Sequence, residues 1–187
     1  MSNEHESKSD ETITKRSLNA IKKMGRNTSM FLRKEEIDYS RMTVKLEDIT
    51  HKNFLAYCNL KVAPHQKEFV AENVLSMAEA NFSKSAWLKG IVADNTPVGF
   101  IMLSKNVSQQ KYILWRFMVD EHWQNRGIGR KAFDLLLKEV AVFQGAYELR
   151  ASYVPGKGAP KEFFVKMKFV HTGQKIGEEV CLVYYFK

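Results

Sequence analysis

The sequence predicts one mixed α/β domain that follows a polar extension. Three observations support this prediction. The 187 residues, 44% hydrophobic and 12% aromatic, suffice for one sizeable core with a tail. Strand-like and helix-like segments alternate after the first forty residues, and a glycine-containing turn joins a buried strand to a helix. We therefore divide the chain into an extension, residues 1–42, and a domain, residues 43–187.

The first half of the domain is predicted to contain one strand, two helices and a hairpin. Apolar residues alternate with charged ones in the strand and recur at helical spacing in the second helix. A turn-forming tetrapeptide joins the two hairpin strands. The predicted elements are a strand with Val44, Leu46 and Ile49; helices over His51–Leu60 and Gln66–Ala80, the latter with Phe69, Val70, Val74 and Met77 on one side; and strands Trp87–Ala93 and Val98–Leu103 around Asp94–Pro97.

The second half is predicted as alternating strands and helices that end in two strands. Its first strand is apolar on both faces except at Arg116, which predicts a central strand buried on both sides. The predicted elements are strand Tyr112–Val119, helix Gly127–Phe143, strand Tyr147–Tyr153, a short helix Pro160–Met167, and strands Phe169–Thr172 and Val180–Phe186 around Gly173 and Gly177.

Composition and charge exclude some classes of protein and leave others open. No apolar run approaches the roughly 18 residues that a membrane span needs. The polar N-terminus and the two cysteines, Cys58 and Cys181, predict a cytoplasmic setting without a disulfide framework. The net charge is +8, and residues 12–34 hold seven basic residues and no acid. Leu18, Ile21 and Met24 fit a basic amphipathic helix there, although a solvated extension is the simpler interpretation.

The segment Gln124–Ala132 carries the clearest chemical signal. It contains Gly127 and Gly129 and lies between a predicted buried strand and a helix. Glycines allow the backbone to approach a ligand, and the first helical turn leaves N–H groups without internal partners. The helix dipole places roughly +0.5 charge at this end, to which Arg126, Arg130 and Lys131 add. The segment therefore predicts a pyrophosphate site.

Three ligand classes use such a turn. A P-loop nucleotide site is excluded because the pattern G-x-x-x-x-G-K-[ST] is absent. Gly127-x-Gly129-x-x-Ala132 fits a loose dinucleotide pattern, but the 55 residues that follow Ala132 are too few for the rest of that fold. Coenzyme A is the third class.

Gln124-x-x-Gly127-x-Gly129, directly after the strand Trp115–Asp120, resembles the [QR]-x-x-G-x-[GA] loop of the GNAT superfamily of N-acetyltransferases. Further segments resemble its Blt-type spermine/spermidine acetyltransferase subgroup: Leu60-x-Val62, the motif within Gln66–Ala80, Val98–Met102, Ser152–Gly156 and Gly173–Glu178. The resemblance implies a mostly antiparallel sheet, flanked by helices, whose central strands splay at a cofactor cleft. It also implies acetyl transfer from acetyl-CoA to a primary amine by direct attack in a ternary complex.

The resemblance also implies which residues bind the cofactor. The strand backbone would pair with the pantetheine arm, an N–H near Met118 would polarise the thioester carbonyl, and the loop would hold the pyrophosphate. The residues implied are Phe117, Met118, Val119, Gln124, Asn125, Arg126, Gly127, Ile128, Gly129, Arg130, Lys131, Lys157 and Phe164.

The chain departs from the family pattern in the last helix. Phe164 occupies the position of the tyrosine that serves as general acid, and phenylalanine has no proton to give. Either the thiolate leaves unassisted or through water, or another group such as Ser152 or Tyr153 donates the proton. Asp120 and Glu121 are candidate bases acting through water. The rival hypothesis is a catalytically weakened acyl-CoA-binding module.

The acceptor is predicted to be a small-molecule amine, with a polyamine such as spermidine or spermine implied first. Glu72 and Glu79 are candidate substrate residues, and Arg116 contacts substrate or cofactor or else pairs with an acid. The domain's own charge of about +6 opposes a polycation, so a protein amine or an amine-bearing antibiotic stays open. We expect no metal and no nucleic-acid partner, and leave open whether the protein forms a homodimer.

Overall fold

The computed structural model of the protein describes residues 41–187, and the predicted basic helix around Leu18–Met24 lies outside them. Short 3₁₀ turns span Pro64–Gln66 and Glu121–Trp123. The strands and helices are β1 Val44–Glu47, α1 Phe54–Cys58, α2 Asn73–Asn81, β2 Ala86–Ala93, β3 Thr96–Asn106, β4 Lys111–Val119, α3 Ile128–Ala141, β5 Glu148–Tyr153, α4 Lys161–Lys166, β6 Val170–Ile176 and β7 Glu179–Tyr185.

The seven strands form one sheet in the order β1-β2-β3-β4-β5-β7-β6. All neighbouring strands are antiparallel except β4 and β5, which are parallel. The β2–β3 turn has positive φ at both Asp94 and Asn95, the conformation that suits a two-residue hairpin. The predicted mixed, mostly antiparallel sheet is therefore confirmed.

Helices cover both faces of the sheet. The larger apolar cluster packs α3 and α4 against one face. The buried positions of α3 include Ile128, Ala132, Leu136 and Val140, which recur in the sequence at helical spacing. On the other face Phe100, Met102 and Met118 pack under the segment that holds α1 and α2. None of the helices in residues 41–187 has both the length and the apolar character that crossing a bilayer requires.

The predicted continuous helix over Gln66–Ala80 is wrong. The helix begins only at Asn73, because Glu72 before it has an extended backbone (φ −58°, ψ 145°). Phe69 instead lies against Gly156 and Gly158, near the start of α4. This long-range packing overrides the local periodicity, so that Asn73 and Ser76 face inward while Val74, predicted on the apolar side, is 55% exposed.

The prediction that β4 is buried on both faces holds for only part of the strand. Tyr112, Leu114 and Met118 are buried, but Trp115 is 37% exposed. Register explains the difference. Met102 pairs with Arg116 and Leu103 pairs with Leu114, which leaves Trp115 as an extra residue in a β-bulge.

Candidate active site

The two central strands separate beyond the bulge. β4 pairs with β5 at Ile113 and Leu114, and no pairing follows within the described chain. A main cleft of about 450 Å³ opens next to the unpaired half of β4. Its lining comprises β4 (Phe117, Met118, Val119), the following loop and helix start (Gln124, Asn125, Gly129), the segment before α2 (Val62, Gln66, Phe69, Val70) and the α4 region (Gly158, Ala159, Pro160, Glu162, Phe163, Lys166).

The backbone of β4 directs polar groups toward this cleft. The Asp120 N–H donates to the Val98 carbonyl of β3. Because successive residues of a strand alternate in hydrogen-bonding direction, the N–H and C=O groups of Phe117 and Val119 face away from β3. The N–H groups of Phe117 and Val119, on either side of Met118, therefore lie on the side where β5 has diverged.

The loop after β4 presents the start of α3 to the cleft. Asn125 and Gly127 have positive φ, 60° and 77°, which turn the chain into the helix. The Lys131 N–H makes the first helical bond, to the Gly127 carbonyl, at 3.1 Å. The preceding N–H groups, those of Ile128, Gly129 and Arg130, lie within the first turn and have no carbonyl of the helix to bond.

Gly129 keeps the cleft open. A Cβ atom there would meet Phe163, Val119 and Phe117 at 3.6–3.9 Å, an ordinary contact distance. All three neighbours line the main cleft. A small side chain at position 129 is therefore compatible with the fold, whereas a larger one would extend into the cleft.

Gln124 fixes the loop to the strand and to the opposite wall. Its Nε2 donates to the Val119 carbonyl and to Gln66 Oε1, each at 2.8 Å. Gln66 Oε1 also accepts from the Ala63 N–H at 3.3 Å. The first residue of the predicted loop motif thus joins three segments that border the cleft.

Of the basic residues predicted at the loop, each has a protein partner and none lines the main cleft. Arg126 lies over the Trp123 ring, with its guanidinium carbon 5.2 Å from the ring centre. Arg130 pairs with Asp134 at 3.3 Å, one helical turn along. Lys131 Nζ donates to the Met42 carbonyl at 2.9 Å.

The residues in and before α4 that line the cleft are not the two expected there. Lys157 is exposed and Phe164 is buried, and neither lines the main cleft. Phe163 does, with its ring stacked on Phe117 at 5.2 Å, and so does Lys166, the cation that sequence reasoning missed. The spacing of three residues between Phe163 and Lys166 is the helical signal that could have identified them.

Asp120 and Glu121, the candidate bases, lie outside the cleft lining. Asp120 is buried and uses both carboxylate oxygens: Oδ2 accepts from the Lys61 N–H at 3.0 Å, and Oδ1 accepts from the His122 N–H at 3.1 Å. His122 Nδ1 lies 3.1 Å from the same Oδ1. Asp120 thus ties the end of β4 to the segment before α2, and Glu121 is exposed.

Ser152 and Tyr153, the candidate proton donors, also lie away from the main cleft lining. The Ser152 hydroxyl donates to Glu179 Oε2 on the neighbouring strand β7. Tyr153 is buried, and its ring stacks on Phe164 with 6.2 Å between ring centres. The structure therefore does not bring the four candidate catalytic side chains together in this cleft.

A side pocket of about 330 Å³ adjoins the main cleft, and Val62, Val70 and Met118 line both spaces. Its remaining lining is Cys58, Leu60, Lys61, Lys67, Ala71, Glu72 and Asn73. The predicted substrate residue Glu72 is present. Glu79 and Arg116 are not part of the lining but pair with each other, Arg116 Nη2 lying 3.2 Å from Glu79 Oε2.

Within residues 41–187, no group of three or more His, Cys, Asp or Glu side chains is arranged to hold a metal ion. The ionisable side chains that line the two spaces are Glu162 and Lys166 in the main cleft and Cys58, Lys61, Lys67 and Glu72 in the side pocket.

A sequence model described as the acetyltransferase (GNAT) family matches residues 43–164. Comparison with curated proteins gives no match.

Solved structures share the fold at low sequence identity. A domain from Methanocaldococcus jannaschii aligns with a TM-score of 0.63 and 15% identity, covering 78% of this chain and 99% of that chain. The PaiA N-acetyltransferase of Thermoplasma acidophilum, in complex with coenzyme A, has a TM-score of 0.58 and 15% identity over 78% of this chain and 100% of that one. The Bacillus subtilis N-acetyltransferase YlbP, also in complex with coenzyme A, has a TM-score of 0.50 and 18% identity, covering 78% of this chain and 97% of that chain.

Proposed function

The chain belongs to the acetyltransferase (GNAT) family, and on that premise we propose that it transfers the acetyl group of acetyl-CoA to a primary amine. The observation that carries the proposal is the main cleft beside the unpaired half of β4, with the start of α3 at its border. Two similar solved structures, PaiA and YlbP, are complexes with coenzyme A, which supports the choice of cofactor.

The residues of the main cleft fit such a cofactor. The N–H groups of Ile128, Gly129 and Arg130 would hold the pyrophosphate, because they are unbonded within the helix and lie at its positive end. The N–H and C=O groups of Phe117 and the N–H group of Val119 would bond the pantetheine arm, since β5 no longer pairs with β4 there and the Val119 carbonyl accepts from Gln124. The absence of a side chain at Gly129 leaves room for the ligand.

Acetyl-CoA, when bound, supplies an activated acetyl carbonyl whose leaving group is a thiolate. The amine nitrogen forms a bond to the carbonyl carbon, the C–S bond breaks with its electron pair on sulfur, and the nitrogen loses a proton to solvent. An alkyl ammonium with a pKa of about 10.4 must first lose a proton at a cost of about 4.6 kcal/mol at pH 7. The apolar walls formed by Val62, Val70 and Met118 lower this cost, because desolvation disfavours the charged form.

Proton donation to the thiolate is not assigned to a side chain. Thiol pKa values lie near 8.5, so a thiolate is a tolerable leaving group near neutral pH and protonation by water is sufficient. The loss of a positioned acid costs about 10²–10⁴ in rate, which slows the reaction but leaves binding and alignment of the two substrates in place.

The resemblance to the Blt-type subgroup makes a polyamine the acceptor that we propose first. Glu72 in the side pocket supports a cationic acceptor, whereas Lys61 and Lys67 in the same pocket oppose a second and third positive charge. A protein amine and an amine-bearing antibiotic are the alternatives.

One observation favours a second function. Phe164 stands where the family places its acid and is buried away from the cleft lining. A catalytically weakened acyl-CoA-binding module would show this combination of an intact pyrophosphate loop and a missing acid.

Thiol release from acetyl-CoA in the presence of an amine panel separates the two functions. The panel contains spermidine, a simple alkylamine, a lysine peptide and an aminoglycoside. If the protein transfers acetyl groups, at least one amine should accelerate thiol release, and the rate should saturate with both acetyl-CoA and the amine. Saturable acetyl-CoA binding without acceleration by any amine would support the binding module and contradict acetyl transfer.

A further inference from the structure

Asn73 is a buried polar residue in the side pocket. It is the first residue of α2, it is 3% exposed, and it lines the pocket together with Met118 and Val70. Its Nδ2 donates to the backbone carbonyl of Tyr57 at 2.8 Å and lies 3.6 Å from Met118 Sδ. Because a carbonyl only accepts hydrogen bonds, this contact fixes which end of the amide is NH₂ and which is oxygen.

The side-chain oxygen of Asn73 is left for a ligand. Within residues 41–187 no N–H or O–H group donates to Asn73 Oδ1. In the same part of the chain, every fully enclosed side-chain N or O atom except Arg116 Nε has a hydrogen-bond partner. Asn73 Oδ1 has no partner among these residues and is not that exception. Asn73 Oδ1 is therefore not enclosed, and the opening available to this buried residue is the side pocket that it lines.

We infer that Asn73 Oδ1 accepts a hydrogen bond from the amine of the acceptor in the side pocket, an inference that rests on the proposed acetyl transfer. The acceptor class is a primary alkylamine, including one arm of a polyamine, whose methylene stem lies along Leu60, Val62 and Val70. Met118 lines both spaces, so an amine held beside Asn73 lies at the junction with the main cleft.

An amide oxygen suits this role better than a carboxylate. A carboxylate beside the amine would stabilise the ammonium form and raise its pKa by about 1–3 units. The neutral Asn73 oxygen orients an N–H without adding negative charge, and so leaves the nitrogen lone pair available for attack. The charged Glu72, which is exposed at the same pocket, attracts the cation without being enclosed with it.

Substitution of Asn73 by alanine tests the inference in the full-length protein. Asn73→Ala should lower kcat/KM for the best amine of the panel by about 10- to 100-fold, because one hydrogen bond to the amine is lost. The KM for acetyl-CoA and the slow hydrolysis of acetyl-CoA without amine should stay within about twofold of wild type.

The matched control is Ser76→Ala. Ser76 is also buried on α2, and its hydroxyl donates to the Glu72 carbonyl at 3.1 Å, but it lines neither space. Ser76→Ala should leave amine kinetics within about twofold of wild type, because the Glu72 carbonyl still accepts from the backbone N–H of residue 76.

Asn73→Asp provides a measurement that a purely structural role would not change. A carboxylate at this position should raise the apparent pKa in the pH profile of kcat, measured at saturating amine, by about one unit or more. Asn73→Asp keeps the side-chain size of wild type but loses the donor to the Tyr57 carbonyl. The melting temperatures of both variants are therefore compared with wild type, and the criterion of whichever variant folds applies.

The outcomes are distinguishable. The inference is overturned if Asn73→Ala retains amine kcat/KM within twofold, if it weakens acetyl-CoA binding and hydrolysis as much as amine turnover, or if the Asn73→Asp kcat profile is unshifted. A wild-type protein that binds acetyl-CoA but acetylates no amine overturns the proposed function, and the inference with it.

Discussion

The ring of Phe164 packs inside the apolar core rather than at the cleft. It is 6% exposed, with the Phe169 ring centre at 5.2 Å and the Tyr153 ring centre at 6.2 Å. Phe163, its neighbour in sequence, occupies the cleft wall instead. A hydroxyl added at position 164 would therefore enter an aromatic cluster.

Phe164→Tyr should leave kcat within about twofold of wild type and lower the free energy of unfolding by about 1–3 kcal/mol, because a polar group is buried. Steady-state kinetics and urea unfolding measure the two effects. Phe163→Tyr is the matched variant, since it changes the cleft wall and should alter acetyl-CoA affinity. A tenfold rise in kcat for Phe164→Tyr would contradict this packing and show that the missing acid limits turnover.

The contacts of single side chains at the site were the hardest feature to predict from the sequence. Sequence position next to β4 favoured Asp120 as a base, but its oxygens accept backbone N–H groups that the linear sequence does not reveal. The sequence does not mark Asn73 as a site residue, because the local periodicity places it within a longer predicted helix. The burial of both residues is set by segments distant in sequence.

Among the elements, β1 and α1 are joined by a partly buried hydrogen bond. The Tyr57 hydroxyl donates to Glu47 Oε1 at 2.7 Å, and Asn53 Nδ2 donates to the same oxygen at 3.0 Å. The Tyr57 ring also lies so close to Gly90 that a Cβ there would overlap it. Burial and the hydrogen bond to the Glu47 carboxylate raise the pKa of Tyr57 above its ordinary value of 10.0.

This raised pKa predicts a pH dependence of stability. Above pH 10 the unfolded chain loses the Tyr57 proton while the folded chain keeps it, so this contribution is complete below pH 10 and declines as pH rises. From pH 10 to 11 the unfolding free energy of wild type should fall more steeply than that of Tyr57→Phe, by up to about 1.4 kcal/mol per pH unit. Urea unfolding of both proteins at several pH values measures this difference in the pH dependence of the unfolding free energy.

Tyr147→Phe is the control for this titration, because Tyr147 is 59% exposed. Urea unfolding of Tyr147→Phe over the same pH range shows what the removal of an exposed tyrosine hydroxyl does. Parallel pH dependences for Tyr57→Phe and wild type would show that the Tyr57–Glu47 contact does not link α1 to β1 in solution.

Element types were predictable wherever local periodicity and packing agree. The α3 pattern predicted its buried face because the helix lies flat on the sheet. The break before α2 was not predictable, because Phe69 leaves the helical path to pack near Gly156 and Gly158.

At the scale of the whole molecule, the order of the strands and the separation of β4 from β5 determine where the main cleft lies. The loop motif predicted the location of the cleft, since it follows the strand that loses its partner. The width of the cleft and the side pocket depend on α4 and on the segment before α2, so they were not predictable from the motif.

We propose that residues 43–187 are the catalytic unit, because the family match begins at residue 43 and the lining of both spaces lies between Cys58 and Lys166. A chain without residues 1–40 should bind acetyl-CoA within about threefold of the full-length protein, as measured by calorimetry. A tenfold or greater loss of affinity would assign the extension a part in the site.

Calorimetric titration of acetyl-CoA into the wild-type protein, Gly129→Ala and Gly129→Leu tests most directly whether the main cleft binds this ligand. The wild type and Gly129→Ala should bind one equivalent with similar affinity, because a Cβ at position 129 meets its neighbours at ordinary contact distance. Gly129→Leu should bind at least tenfold more weakly while keeping the wild-type melting temperature. No binding by wild type, or equal binding by Gly129→Leu, would contradict the account.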